Sequence, residues 1–196
     1  GYANTDGMDN LFLGSAAGKS NTGGDYNIFL GNNSGYTNST GNYNTFIGFN
    51  AGYNNTTANY NVGIGFYAGY NNQTGYDNIF LGNWSGFYNV SGKNNIIMGY
   101  LAGVYNNASY NIFIGDQSGY NNTNGGFTGS QGAYNTFLGY NTGYNNRTGY
   151  NNVFMGYMSG LNNQTGYNNT YLGYRSGRSA AGSSAYINVF LGIAGG

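Results

Sequence analysis

The sequence contains no cysteine, histidine, glutamate or proline, and only 5% of its 196 residues are charged. Without cysteine, the chain can form neither disulfides nor thiolate metal sites. Five acidic and five basic residues cancel, so nothing marks the chain electrostatically for nucleic acid or for an anionic membrane. No apolar run approaches the roughly 20 residues that span a bilayer. We therefore expect no cofactor, no nucleic-acid partner and no membrane span.

The acidic residues also argue against catalysis. All five are aspartates, and they do not recur as a pair at any fixed phase of the repeat described below; the five are Asp6, Asp9, Asp25, Asp77 and Asp116. Asp9 and Asp77 share a phase but lie four repeats apart, too far for shared acid–base work. The glycine-rich stretches lack the lysine of a phosphate loop and the aspartates of calcium β-rolls. We predict that the chain is not an enzyme and binds no metal.

What the chain has instead is one short unit repeated eleven times. Each copy ends in a glycine, mostly 17 residues after the last one, with an asparagine four residues before it and another glycine four residues after it. The eleven glycines are Gly14, Gly31, Gly48, Gly65, Gly82, Gly99, Gly115, Gly139, Gly156, Gly173 and Gly192. A fixed short period of this kind indicates a stacked repeat architecture.

Each unit contains a short segment with strand character. In Asn44-Thr45-Phe46-Ile47-Gly48, β-branched, aromatic and aliphatic residues lie between turn formers. The second half, such as Ala51-Gly52-Tyr53, predicts another short strand, followed by a turn at Asn-x-Thr-Gly. The sequence therefore predicts an all-β fold: a single β-solenoid domain over residues 1–196, with about eleven parallel rungs of two short strands each. At roughly 4.8 Å per rung, the rod would be on the order of 50 Å long.

Two spacings exceed the period and locate a turn that varies. The extra residues lie near 126–132 and near 181–184, both at the Thr-Gly turn. Insertions that gather in one loop of the repeat are typical of a solenoid.

Two rows of equivalent residues follow from the stacking. The asparagine before each strand is expected to form a ladder of side-chain amides, and it could also cap a turn. This row is Asn10, Asn27, Asn44, Asn61, Asn78, Asn95, Asn111, Asn135, Asn152, Asn169 and Asn188. The middle of each strand forms an aromatic row, interrupted at Gly63 and Ile97, which we expect to be buried. This row is Phe12, Phe29, Phe46, Phe80, Phe113, Phe137, Phe154, Tyr171 and Phe190.

The strand pattern implies one apolar stripe too many. Alternate residues of a strand face opposite sides, so the aromatic row and its aliphatic neighbours occupy different faces, and a narrow rod has one interior. An aromatic strip left outside would exceed what soluble monomers usually expose. We favour association of several chains over the alternative, in which the second strand covers the aromatic row within one chain.

The unit Asn44-Thr-Phe-Ile-Gly48-x-x-Ala51-Gly52, followed by Asn-x-Thr-Gly, resembles the β-roll repeats in the heads of trimeric autotransporter adhesins. It is similar also to arrays in bacteriophage tail-fibre and bacterial surface proteins. The resemblance covers nearly the whole chain and implies a homotrimer packed around a common axis. Phe46 stands where the family has a small residue, and the unit here is longer.

These observations predict a structural protein of an extracellular or cell-surface filament that self-associates. Gly1 and Gly196 have matching phases in the repeat, which favours end-to-end stacking. The alternative is an adhesin or phage-fibre type module that binds carbohydrate through a tyrosine row: Tyr36, Tyr53, Tyr70, Tyr120 and Tyr144. Glycosylation is expected at sequons that share a turn phase: Asn38, Asn55, Asn72, Asn89, Asn146 and Asn163.

Overall fold

One three-residue strand recurs in every repeat of the computed structural model, which describes residues 1–125, 131–178 and 186–193. The eleven strands are β1 (Leu11–Leu13), β2 (Ile28–Leu30), β3 (Thr45–Ile47), β4 (Val62–Ile64), β5 (Ile79–Leu81), β6 (Ile96–Met98), β7 (Ile112–Ile114), β8 (Thr136–Leu138), β9 (Val153–Met155), β10 (Thr170–Leu172) and β11 (Val189–Leu191). They form one parallel sheet in chain order. The predicted all-β solenoid is confirmed.

The register places equivalent residues of neighbouring repeats directly opposite each other. Phe29 pairs with Phe46, and Ile112 pairs with Thr136 although 24 residues separate them in sequence. The longer connection between β7 and β8 therefore leaves the sheet undisturbed. Most of the insertion predicted near 126–132 lies outside the described residues, as does the whole of the one near 181–184.

A glycine ends each strand because the chain needs both its conformation and its small size there. Gly31 has φ +134°, and a Cβ added to it would lie 2.5 Å from the carbonyl oxygen of Gly48 in the next rung. No other residue fits this close approach between backbones without displacing a rung. The fixed glycine of the repeat is thereby explained.

The predicted second strand of each repeat is wrong. Around Tyr53 the chain runs through a turn, because Asn50 and Gly52 take left-handed conformations with φ +54° and +58°. Equivalent left-handed residues flank the turn in other rungs, so only one side of the coil is a sheet.

The aromatic row fills the interior of a single coil. Phe29, Phe46, Phe80, Phe113, Phe137 and Phe154 have no exposed surface, and Tyr171 has 1%. Neighbouring rings stack along the axis with centroids about one rung apart, 4.8 Å for Phe137 and Phe154. Phe12 and Phe190, in the first and last strands, are half-buried. The inference that chain association buries this row is wrong.

What makes room for the ring is the small residue and glycine on the opposite wall. Ala51 is fully buried, and a Cβ on Gly52 would lie 2.5 Å from Cγ of Phe46. One ring per rung therefore fills the cross-section. At Gly63 the ring is missing, and the core divides into one buried cluster that ends at Phe46 and another that begins with Ala68 and Phe80.

Candidate interaction surfaces

The asparagines before the strands lie in a continuous internal ladder. Asn44 Oδ1 accepts hydrogen bonds from the backbone N–H of Asn61 at 3.0 Å and from its Nδ2 at 3.2 Å. Asn61 Nδ2 also donates to the carbonyl oxygen of Gly75 at 2.9 Å. The backbone bond to the preceding asparagine recurs at all ten steps from Asn10 to Asn188. The side chains thus take up donors and acceptors that would otherwise be unpaired inside the coil.

A second asparagine ladder, which the sequence analysis missed, is made by the sequon residues. Asn38 Nδ2 donates to Asn21 Oδ1 at 2.7 Å and to the carbonyl oxygen of Gly41 at 3.0 Å. Asn55 continues the ladder with a bond to Asn38 at 2.7 Å. At the shorter repeat, Asn106 donates to Ala108 within its own turn, and buried Asn89 Oδ1 has no partner within the part of the chain that the structure describes.

The expectation that the sequons lie on an exposed turn is wrong. All six side chains are fully buried, and their amide nitrogens are engaged in hydrogen bonds; the six are Asn38, Asn55, Asn72, Asn89, Asn146 and Asn163. A glycan at any of them would have to pull the amide out of the interior. Glycosylation at these positions does not fit the folded coil. The missed signal was the fixed phase of this asparagine three residues before a small residue.

The outer side of the sheet carries the second apolar stripe. We call it the strand face; it consists of the first and third residues of β1–β11. Nineteen of its 22 residues are apolar, and the other three are Thr45, Thr136 and Thr170. Ile79 and Ile114 are each 39% exposed and Ile112 is 36% exposed. No charged residue interrupts this strip along the rod.

Tyrosines form stacks on the remaining surface. In the predicted row, Tyr36 and Tyr53 stack at 4.8 Å, and Tyr53 and Tyr70 at 5.2 Å. The row continues through Phe87 to Val104, which is buried and breaks the stack. Beyond it, Tyr120 and Tyr144 stack at 4.9 Å. All five predicted tyrosines are half-buried.

The break at Val104 adjoins a groove of about 330 Å³. Its walls are mainly aromatic: Trp84, Phe87, Tyr88, Tyr100, Leu101, Val104, Tyr105 and Tyr120. Trp84, the chain's one tryptophan, also packs against Tyr67 at 4.7 Å. We refer to this feature as the Trp84 groove.

The few charged groups near these stacks are paired with phenols. Lys19 Nζ donates to the Tyr36 hydroxyl at 2.8 Å, and this hydrogen bond raises the pKa of Lys19. Lys93 and Tyr76 repeat the arrangement, also at 2.8 Å, with a raised lysine pKa. The negative charge of Asp9 raises the pKa of Tyr26. None of these groups forms a cluster suited to acid–base chemistry.

Residues 1–125, 131–178 and 186–193 contain no group of three or more acidic, histidine or cysteine residues placed to hold a metal. The same part of the chain includes no helix with the length and apolar character for crossing a membrane. No family model matches the chain. Searches of curated proteins and of solved structures likewise gave no match.

Proposed function

We propose that the chain is a structural element of an extracellular fibre, in which β-solenoids associate side by side through the strand face. The observation that carries the proposal is the continuous apolar strip on the outer side of β1–β11. The resemblance to trimeric adhesin heads supports a homotrimer, and the uncharged, tyrosine-rich composition suits an exported material.

The size of the strand face matches a protein interface. Its side chains expose on the order of 1,000 Å², whereas a standard interface buries about 800 Å² per partner. Contiguous apolar patches on soluble monomers are usually limited to a few hundred Å². The strip is also flat and regular, since each rung repeats the last, so two or three copies can align along their whole length.

Charge placed on the strand face tests the proposal. In Ile79→Lys/Ile112→Lys, two lysines enter the strip at positions that are already partly exposed, so the coil should still fold. Thr57→Lys/Thr74→Lys adds the same charge at exposed turn positions of nearby rungs and serves as the matched control. Circular dichroism checks folding, and sedimentation velocity with electron microscopy reports assembly.

We expect the unmodified chain and the turn variant to form oligomers or fibres, and the strand-face variant to sediment as a folded monomer. An unmodified chain that stays monomeric at all concentrations would refute the proposal. Equal loss of assembly in both variants would also refute it, because net charge rather than the strand face would then be responsible.

A second candidate function, carbohydrate binding, is favoured by the Trp84 groove. Its volume lies at the lower end of the range for small-molecule sites, about 300–1,000 Å³, and such sites are typically lined by aromatic side chains. Flat aromatic faces can stack on the apolar faces of sugar rings. Titration of Trp84 fluorescence with a panel of oligosaccharides tests this function, with Tyr100→Ala expected to abolish any response. The function is refuted if no sugar alters the fluorescence.

A further inference from the structure

We propose that the exposed tyrosine stacks are modification sites, where oxidative coupling to dityrosine joins neighbouring rungs covalently. This inference is independent of how the chains associate. It rests on a stack made by Tyr26, Tyr43 and Tyr60, which we call the outer tyrosine stack. Its centroid distances are 4.9 and 5.1 Å, and both interplanar angles are 7°.

The backbone holds these three rings in register. Their φ angles are +56°, +57° and +58°, so each side chain leaves the coil in the same direction. Tyr43 N–H donates to the Asp25 carbonyl at 3.0 Å, and Tyr60 N–H donates to that of Asn42 at 3.1 Å. Each ring is therefore held one rung from the next, with its carbons facing their counterparts.

Exposure supplies the second requirement. Tyr26 and Tyr43 are each 49% exposed and Tyr60 is 56% exposed, so a soluble oxidant can reach them and the rings have room to tilt towards each other. The buried Phe row has neither a phenol nor this freedom. The chain has no cysteine to compete for the oxidant, and its other readily oxidised residues are four methionines and one tryptophan.

The coupling is a balanced two-electron oxidation. A haem peroxidase with hydrogen peroxide removes one electron and the phenolic proton from each of two stacked tyrosines. The two radicals form a carbon–carbon bond between ring positions ortho to the hydroxyls. Each of these carbons then loses its hydrogen as a proton, while its phenolic oxygen regains one. Overall, two tyrosines and one hydrogen peroxide give one dityrosine and two waters.

The same arrangement recurs further along the rod. Tyr110 and Tyr134 stack at 4.9 Å with an interplanar angle of 1°, and they are 43% and 50% exposed. A link between them would span the longest connection of the repeat. Tyr140 and Tyr157 stack at 5.4 Å and are also exposed.

The test treats the dilute, folded full-length chain with peroxidase and hydrogen peroxide and maps the links by mass spectrometry of peptides. We expect dityrosine fluorescence and linked peptide pairs, each short of two hydrogen atoms, at Tyr26–Tyr43, Tyr43–Tyr60 and Tyr110–Tyr134. Tyr2, which is 92% exposed but stacks on no tyrosine of the described chain, should not form intramolecular links.

Two comparisons make the result decisive. Tyr43→Phe keeps a ring in the stack but removes the phenol common to two pairs, so the links of Tyr26 and Tyr60 should disappear while Tyr110–Tyr134 persists. The chain unfolded in denaturant should lose the preference for stacked pairs. The proposal is overturned if the folded chain gives no dityrosine, if its links are distributed as in the unfolded chain, or if they are all intermolecular and vanish on dilution.

Discussion

Replacing one asparagine of the strand-side ladder tests whether these buried amides hold the rungs together. In Asn61→Ala, the backbone N–H of Asn78 loses its acceptor, which lies at 3.0 Å. The Gly75 carbonyl oxygen loses a donor at 2.9 Å. A buried N–H or C=O left without a partner costs about 1–3 kcal/mol. Since both groups are inside the coil, we expect a local destabilisation of about 3 kcal/mol.

Amide hydrogen exchange is the appropriate assay, because a repeat array need not unfold in a single step. A loss of about 3 kcal/mol corresponds to roughly 100-fold faster exchange at Asn78, at about tenfold per 1.4 kcal/mol. The control is Asn71→Ala, which removes a half-buried amide that accepts one hydrogen bond from Asn54 at 2.7 Å. It should cost about 1 kcal/mol or less. Unchanged protection at Asn78 in the Asn61 variant would refute the reasoning.

Two further changes test packing and backbone strain. Phe113→Ala empties a fully buried ring position and should cost about 3–5 kcal/mol, measured by urea unfolding followed by circular dichroism; Phe66→Ala, at a position 42% exposed, is the control, and equal losses would contradict a central role for the internal stack. Ile187 is β-branched, 76% exposed and has φ +54°, so Ile187→Asn should stabilise the last described rung by about 1 kcal/mol. Slower exchange of neighbouring amides would show this gain, and faster exchange would contradict it.

The spacing of asparagine and glycine was enough to predict the solenoid and its strands. A residue that recurs without exception at one phase must meet the same neighbours in every rung. Gly31 illustrates this, since its φ and its distance to the next backbone exclude any side chain. Asn44 does so through its bonds to the rungs on both sides.

The orientation of the strand could not be read from alternation, because both of its faces are apolar. The deciding quantity is the space opposite: Ala51 and Gly52 leave room for one aromatic ring, so Phe46 turns inwards and Ile47 outwards. The sequence showed those small residues but not the wall on which they lie. The burial of Asn55 was missed for a similar reason, since its polarity suggested a solvated turn while its amide bonds another asparagine inside.

The uninterrupted register across the connection between β7 and β8 has a consequence for how such a gene can change. Because Ile112 and Thr136 pair as neighbours of any other rung do, duplication or deletion of one 17-codon unit would lengthen or shorten the rod by one step and leave every remaining contact intact. A change out of phase would instead shift an inward ring to the outside. Coding sequence of arbitrary length is tolerated at one place in each unit, the turn that connects two rungs. Rod length can therefore vary readily during evolution, while the cross-section stays fixed.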